Sequence, residues 1–404
     1  MRRTILLLLF FAVFGALQAQ MLKSDVGIQK KLKDLSEAEI NAVFDKANPQ
    51  LKVLALQEMA LKMKTTLNGT ILIALDNKVV VRKSYGYARL YKKGKDLYGM
   101  TQIQLMAAKE MAENRITSQT PFELASVSKQ FTAVAILKLA SQGKLDLKDY
   151  LTKYYPENPY PGITIHHLLS HTSGLPEYFN FPSECWGKTG LVTNEEAIAK
   201  IFARHERVMF KPGARYKYVN TNYLLLAGIV AKVTGMKFEK YMADSIFNPV
   251  GMNNTFYVTE KASHKDIFFP RGHLSSGEEV AFEPLDGTFG DKGLYSCADA
   301  LLKWKIALFD DYAVIPKEWL DKAVVPQNRL SSGANPPELY GYGFHIEVDK
   351  YHGKIIYHGG LWHGFHHIMG YRPSDNLFFV CLSNCRNRAH VGKLNNILSI
   401  MDGV

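Results

Sequence analysis

The run Phe122-Glu123-Leu124-Ala125-Ser126-Val127-Ser128-Lys129 sets a serine and a lysine one helical turn apart, just ahead of an apolar helical pattern. No other feature constrains the chain as strongly. If a helix begins at Ser126, Ser126 and Lys129 share a face, with Cβ atoms about 5–6 Å apart, and the amine can reach the hydroxyl. A serine hydroxyl is a weak nucleophile at neutral pH and needs an adjacent base. Lysine serves once burial and the positive end of a helix lower its pKa. The helix start also aims free backbone N–H groups, Ser126's own among them, at the place where charge develops on an attacked carbonyl. Phe131, Val134, Ala135, Leu137 and Leu139 give the helix its buried face. Taken alone, the spacing fits a plain serine N-cap equally well. Ser141-Gln142-Gly143-Lys144 repeats it, but Gly143 falls where the helix should stop, so this copy reads as a C-terminal cap.

Arg2 and Arg3 precede an apolar run from Ile5 to Leu17 and then Gln18-Ala19-Gln20. That is the charge, length and small-residue end of a secretory signal, with cleavage expected near Ala19 and a periplasmic or secreted product. The run is short for a membrane span. No cysteine follows it to carry a lipid, and an uncleaved anchor is the alternative reading. With 49 Lys and Arg against 38 Asp and Glu the chain is basic, which favours acidic surfaces such as cell-wall polymer or anionic lipid. Nucleic acid is not expected as a partner, because no arginine-rich arm, zinc-finger spacing or interleaved basic and aromatic motif is present. Cys185, Cys297, Cys381 and Cys385 fit either disulfides outside the cytoplasm or buried thiols.

Helical periodicity runs from Ile28 to about Lys64, with Ser36 and Glu39 as a capping box, giving an N-terminal extension over 20–65. Gly69 to Leu75 and Lys78 to Tyr87 read as a hairpin turning at Asp76-Asn77. Lys92, Lys93 and Lys95 and a helix from Gln102 to Asn114 follow, an insertion to which no chemistry is assigned. From Ser126 to about Asp311 the pattern is mainly helical. Tyr342 to Glu347, Lys354 to His358, Phe365 to Tyr371 and Leu377 to Ser383 then read as strands, and Val391 to Met401 as a last helix. The fold class expected is α+β: an antiparallel sheet built from both chain ends and flanked by helices, plus an all-helical subdomain, with a groove between. The expected division is a signal over 1–19, the extension, and one domain over 66–404.

Other candidate site residues lie in loops. Tyr218 and Asn220 stand where the loop from Lys211 meets an apolar helix. A phenol beside a lysine can exist partly as phenolate and shuttle a proton, and an asparagine amide can bind a substrate carbonyl or fix the lysine; a capped core tyrosine fits the same pattern. Tyr178-Phe179-Asn180 has that spacing too, in a loop suited to a site rim. Of His166, His167 and His171, the last two stand four apart but lack a third ligand at zinc spacing, so all three read as hydrogen-bonding histidines. Gly290-Asp291-Lys292-Gly293 is a glycine-punctuated turn without the phosphate-loop pattern.

Together, these residues resemble the serine β-lactamase and penicillin-binding-protein superfamily, in its branch of class C-like β-lactamases, D-Ala-D-Ala carboxypeptidases and esterases. Ser126-Val127-Ser128-Lys129 is similar to its first motif, Tyr218-Val219-Asn220 to its second and His358-Gly359-Gly360 to its third. His167 to Leu175, Gly293 to Ser296 and Tyr342 to Phe344 extend the resemblance over about 66–385. Lys188-Thr189-Gly190 spells a third motif but precedes Tyr218, so it is set aside. The resemblance implies an acyl-enzyme mechanism in which Ser126 attacks, Lys129 and Tyr218 move the proton, and Asn220 positions substrate. Backbone N–H groups of Ser126 and Leu361 would form the oxyanion hole, and Gly359, Gly360 and Leu361 would bind substrate. It implies no cofactor and no metal, and an acyl substrate that is a small molecule or comes from peptidoglycan. His358 stands where many members carry lysine, so a permanent cation for a substrate carboxylate is missing. His363, His366 and His367 read as strand-face residues. The alternatives are a penicillin- or peptidoglycan-binding sensor that does not turn over, and a histidine metallohydrolase.

Overall fold

The computed structural model describes residues 49–91, 101–187, 190–258, 268–328, 338–349, 353–386 and 393–402. The signal, the proposed Ser36 cap, Lys92, Lys93 and Lys95, and Lys188-Thr189 lie outside the described residues.

Near the start of the main body, β1 (Gly69–Leu75) and β2 (Lys78–Tyr85) form the expected hairpin. Asp76 and Asn77 both take positive φ, 46° and 64°, the left-handed pair that matches the twist of a two-residue turn. In the helical middle, β3 (Phe122–Glu123), β4 (Phe256–Tyr257) and β5 (Leu294–Ser296) make a small second sheet in the order β3-β5-β4. Segments this short carry no readable alternation, and the sequence reading missed them. The late strands are β6 (Leu339–Tyr340), β7 (His345–Asp349), β8 (Gly353–Trp362), β9 (Phe365–Arg372) and β10 (Leu377–Ser383). The large sheet runs β2-β1-β10-β9-β8-β7-β6, every pair antiparallel. The two chain ends therefore meet inside it: Gly69 lies opposite Ser383 and Leu75 opposite Leu377. β10 is buried on both faces and β1 nearly so, which accounts for their unbroken apolar runs.

The Ser128–Ser141 helix is the core of the helical half. It is buried on nearly every side rather than amphipathic, and its buried Gln130 and Thr132 are hydrogen-bonded to Trp304 and the Gly290 carbonyl. It packs against the Asn220–Thr234 helix, and Phe131 lies 4.4 Å ring to ring from Trp304. Its end is the anticipated cap: Gly143 has φ 70°, and the N–H groups of Gly143 and Lys144 donate back to the carbonyls of Ala140 and Leu139.

Two boundaries differ from expectation. Tyr342-Gly343-Phe344 is a loop, and the strand begins only at His345, because Gly343 takes φ 84° against the nucleophile helix. A Cβ there would come within 2.7 Å of Ala133 Cβ and 2.9 Å of Gln130 Cα. The strand expected over Lys354 to His358 continues to Trp362, carrying Gly359, Gly360 and Leu361 within it.

The chain divides into two compact units, Thr66–Gly392 and a smaller one formed by Met1–Thr65 with Lys393–Val404. In the smaller unit the Pro49–Lys62 and Lys393–Asp402 helices are joined by a hydrogen bond from Lys52 Nζ to the Met401 carbonyl. No disulfide joins any of the four cysteines.

Gly343→Ala is expected to destabilise the fold by about 2–4 kcal/mol, since overpacking and a left-handed backbone add. Urea unfolding should show a lower midpoint at unchanged slope.

Candidate active site

The helix begins two residues later than expected. Ala125–Val127 is a 3-10 turn and the α-helix starts at Ser128, yet Lys129 remains one turn from Ser126. The offset comes from Ala125, whose φ of 50° is strained for a residue with a Cβ. Its N–H donates to Glu123 Oε2 at 3.0 Å, which holds the turn. Ser126 emerges half-exposed between buried neighbours.

Lys129 is fully buried. Its Nζ lies 3.0 Å from Ser126 Oγ, 2.7 Å from Asn220 Oδ1 and 2.9 Å from the Asp291 carbonyl oxygen. Burial lowers its pKa to about 8, partly offset by the charges of Asp291 and Glu177. The partner set fixes how a neutral amine would point. A carbonyl accepts only, and Asn220 presents its oxygen because its Nδ2 donates to Glu177 Oε2 at 2.9 Å. Two N–H bonds are thus committed to Asn220 and Asp291, and the lone pair faces the Ser126 hydroxyl.

Tyr218 completes the group. Its phenol is hydrogen-bonded with Ser126, and burial pushes its pKa well above 10. Burial therefore favours the protonated phenol over the partial phenolate expected from the sequence. The Lys129 Nζ lies 4.9 Å from the centre of its ring. His171 packs on that ring at 4.3 Å and accepts the Val219 N–H through Nδ1 at 3.1 Å, tying down the backbone beside Tyr218. Burial holds His171 well below the ordinary histidine range, hence neutral.

β8 forms the facing wall. β7 pairs with it only from Gly353 to Tyr357, so its last residues leave that edge unpaired by β7. Gly360 meets the nucleophile's turn: a Cβ there would sit 2.4 Å from the Leu124 carbonyl oxygen and 3.2 Å from Ala125 Cβ. Only glycine allows this approach. Gly359 is under no such constraint, its built Cβ coming no nearer than 3.7 Å to the His367 carbonyl oxygen. Leu361, one residue on, is half exposed. His358 is buried, its Nε2 3.1 Å from Tyr340 Oη and its ring 6.2 Å from that of Tyr218. Burial and the neighbouring His345 and Lys129 push its pKa well below the ordinary value, so His358 brings no charge to the site.

Among known proteins, the family profile described as Beta-lactamase matches residues 58–400. The chain belongs to the beta-lactamase family. It is 31% identical over 337 residues to "Penicillin-binding protein 4*" of Bacillus subtilis (strain 168), covering 80% of this chain and 69% of that protein. Among solved structures, the octameric penicillin-binding protein homologue from Pyrococcus abyssi superposes with a TM-score of 0.70 at 28% identity, covering 88% and 78% of the two chains. The D-amino acid amidase from Ochrobactrum anthropi SV3 gives 0.65 at 21%, covering 87% and 100%, a likeness of fold. The family points to serine hydrolase activity on the β-lactamase fold.

Against the beta-lactamase family background, several functional neighbours escaped the sequence reading. Glu177 accepts both the backbone N–H and the Nδ2 of Asn220, and Asp291 supplies its main-chain oxygen to Lys129. No local pattern marks either, since each acts through a contact remote in sequence. Of the rim candidates, Tyr178 is instead buried, donating to Asp291 Oδ2, while Phe179 stacks on Trp362 at 4.8 Å. His166 hydrogen-bonds with Tyr342 Oη and His167 accepts from the Thr164 N–H. His363 is a turn residue, not a strand-face one, paired with Asp286. Among the described residues, no group of three His, Cys, Asp or Glu side chains is placed to hold a metal ion.

Because an amine acts as base only when neutral, the rate of acylation should climb as pH rises through the Lys129 pKa of about 8 and level off above it. Stopped-flow measurement of acylation between pH 6 and pH 10 checks this, and Lys129→Ala should remove both the rate and the climb.

Proposed function

We propose that the chain is an exported serine hydrolase that forms an acyl-enzyme on Ser126 and cleaves β-lactam, D-alanyl peptide or ester bonds. One observation carries the reading: the buried Lys129 amine has its other polar contacts committed to Asn220 and Asp291, leaving Ser126 as the group its lone pair can serve. Ser126 Oγ attacks the carbonyl and its proton passes to Lys129 Nζ. The oxyanion that forms is held by the N–H groups of Ser126 and Leu361 at the glycine-enabled contact of β8 with the nucleophile's turn. The Tyr218 O–H, donating to Ser126 Oγ, relays a proton to the leaving group as the carbonyl carbon's bond to it breaks, and Lys129 returns one to Tyr218. Water then hydrolyses the ester.

The N-terminal charge and apolar run support export with cleavage near Ala19, and the division proposed is a signal over 1–19, an extension over 20–65 and the hydrolase domain from 66 onward. The basic charge supports a place beside acidic cell-wall polymer or lipid. The substrate in this reading is a small-molecule or peptidoglycan-derived acyl compound, as the name of the Bacillus subtilis relative suggests. A neutral, buried His358 brings no cation for a leaving-group carboxylate, so in this reading the site does not distinguish charged from uncharged leaving groups.

The test is to incubate the protein and Ser126→Ala with a fluorescent penicillin, a chromogenic cephalosporin and a short-chain nitrophenyl ester. Turnover by the parent that disappears in Ser126→Ala is the expected result. Covalent label without turnover would indicate a sensor instead, and activity retained in Ser126→Ala would remove the serine mechanism altogether. Leaving-group charge is checked with a D-alanyl-D-alanine peptide and its methyl ester, whose kcat/KM values should differ by less than about tenfold, the least that a dedicated charged hydrogen bond provides.

A further inference from the structure

Glu123 lies immediately outside the reacting group and has no part in the proton transfers. It is buried on β3, and its two carboxylate oxygens are divided between two turns. Oε2 accepts the Ala125 N–H at 3.0 Å and Oε1 accepts the Gly293 N–H at 2.7 Å. Both donors belong to residues with positive φ, 50° and 87°. The first turn presents Ser126. The second carries the Asp291 carbonyl oxygen that holds Lys129. Glu123 is itself pinned through its main chain, where its carbonyl oxygen accepts His367 Nε2–H at 2.6 Å while His367 Nδ1 accepts the Ser383 N–H.

We propose that Glu123 is a positioning residue for acylation: its ionised carboxylate clips the turn presenting Ser126 to the turn presenting the Asp291 carbonyl, and so sets the separation between Ser126 Oγ and Lys129 Nζ. The inference rests on the serine hydrolase reading given above and adds a residue to it. An ionised carboxylate offers full acceptors to both N–H groups. A protonated one keeps one good acceptor, and its hydroxyl must turn its proton away from the second N–H, so one of the two clips weakens. Burial raises the pKa of Glu123 to about 7, which puts this change inside the working range. The charged and titratable groups facing it are Lys292 and Asp286, with Lys129, His363, Tyr295 on the paired strand β5 and Tyr257 on β4 further round. The Lys292 ammonium donates to the Leu285 and Thr288 carbonyl oxygens and to the Thr288 hydroxyl, so it lowers the Glu123 pKa from a distance without replacing the two N–H bonds.

The experiment is the pH profile of kcat/KM for a nitrophenyl ester in the full-length protein, in Glu123→Gln and in Glu123→Asp, with thermal melts run alongside. Below pH 7 the parent should fall more steeply than one ionisation permits, because both Glu123 and Lys129 must then be deprotonated. Glu123→Gln should lose about ten- to a hundredfold in kcat with little change in KM, since it disturbs geometry rather than substrate contacts. Its profile should follow a single ionisation, moved to lower pH because the negative charge that raises the Lys129 pKa has gone. A purely structural role would lower the melting temperature and leave the shape of the profile intact, which would overturn the proposal. So would a Glu123→Gln enzyme with the parental rate. If Glu123→Gln does not fold, Glu123→Asp decides: it keeps the charge but is too short to span both N–H groups, so reduced kcat with the steep limb retained supports the clip, and parental kcat overturns it. Loss of all turnover in Ser126→Ala is judged separately, so a failed clip leaves the hydrolase reading standing.

Discussion

One desolvated amine sets the terms for the rest of the structure. Removed from water, the Lys129 ammonium loses hydration that only well-placed oxygens can replace; Ser126 supplies one from the preceding turn, and Asn220 and the Asp291 carbonyl supply two from segments remote in sequence. Because the Ser128–Ser141 helix is buried on nearly every side, its amine depends on oxygens brought to it by other segments. The Asn220–Thr234 helix, the turn at Gly290 to Gly293 and the strained turn at Ala125 must all be in place before the lysine can be buried. Moving any one of them would readmit water, return the amine toward its ordinary pKa and leave the serine without a base at neutral pH.

That dependence explains what was legible in the sequence and what was not. The Ser126 to Lys129 spacing is local, as are the hairpin at Asp76-Asn77, the cap at Gly143 and the terminal strands that make the large sheet. Each is dictated by residues close to one another in sequence, except that the pairing of the terminal strands joins opposite ends of the chain. The start of the nucleophile helix was misplaced because the left-handed Ala125 is held by Glu123 and by β8 pressing on the turn, and nothing in the run Phe122 to Ser126 announces either. The loop at Tyr342-Gly343-Phe344 passed for strand for a similar reason: its composition suits a strand, but Gly343 is shaped by the helix it lies against. Glu177, which orients Asn220, contacts a residue far along the chain and had no sequence signal.

The surroundings of Tyr218 follow from the same amine. His171, His345, His358 and Tyr340 all pack against or near its ring, a dense set of titratable side chains beside a buried base. A positive charge on His171 or His358 would repel the Lys129 ammonium, and burial already disfavours it, so both remain neutral. Their neutrality fixes their hydrogen bonding. His171 must leave Nδ1 bare to accept the Val219 N–H, which makes it a support for the Tyr218 backbone rather than a proton carrier.

The third strand shows how a contact can matter more than a charge. If the role of β8 were to bring a cation to the substrate, His358 would have to face the cleft, yet it lies buried against Tyr340. What β8 does bring is backbone. Gly360 lets it touch Leu124 and Ala125, and that closeness puts the main chain at Leu361 beside the turn of Ser126. A larger residue at Gly360 would push the strand away by the width of a methyl group, whereas the ring at His358 could change its charge without moving the main chain at all. The contact with the Ser126 turn therefore depends on the motif's last glycine, while its first residue is held in the interior by Tyr340.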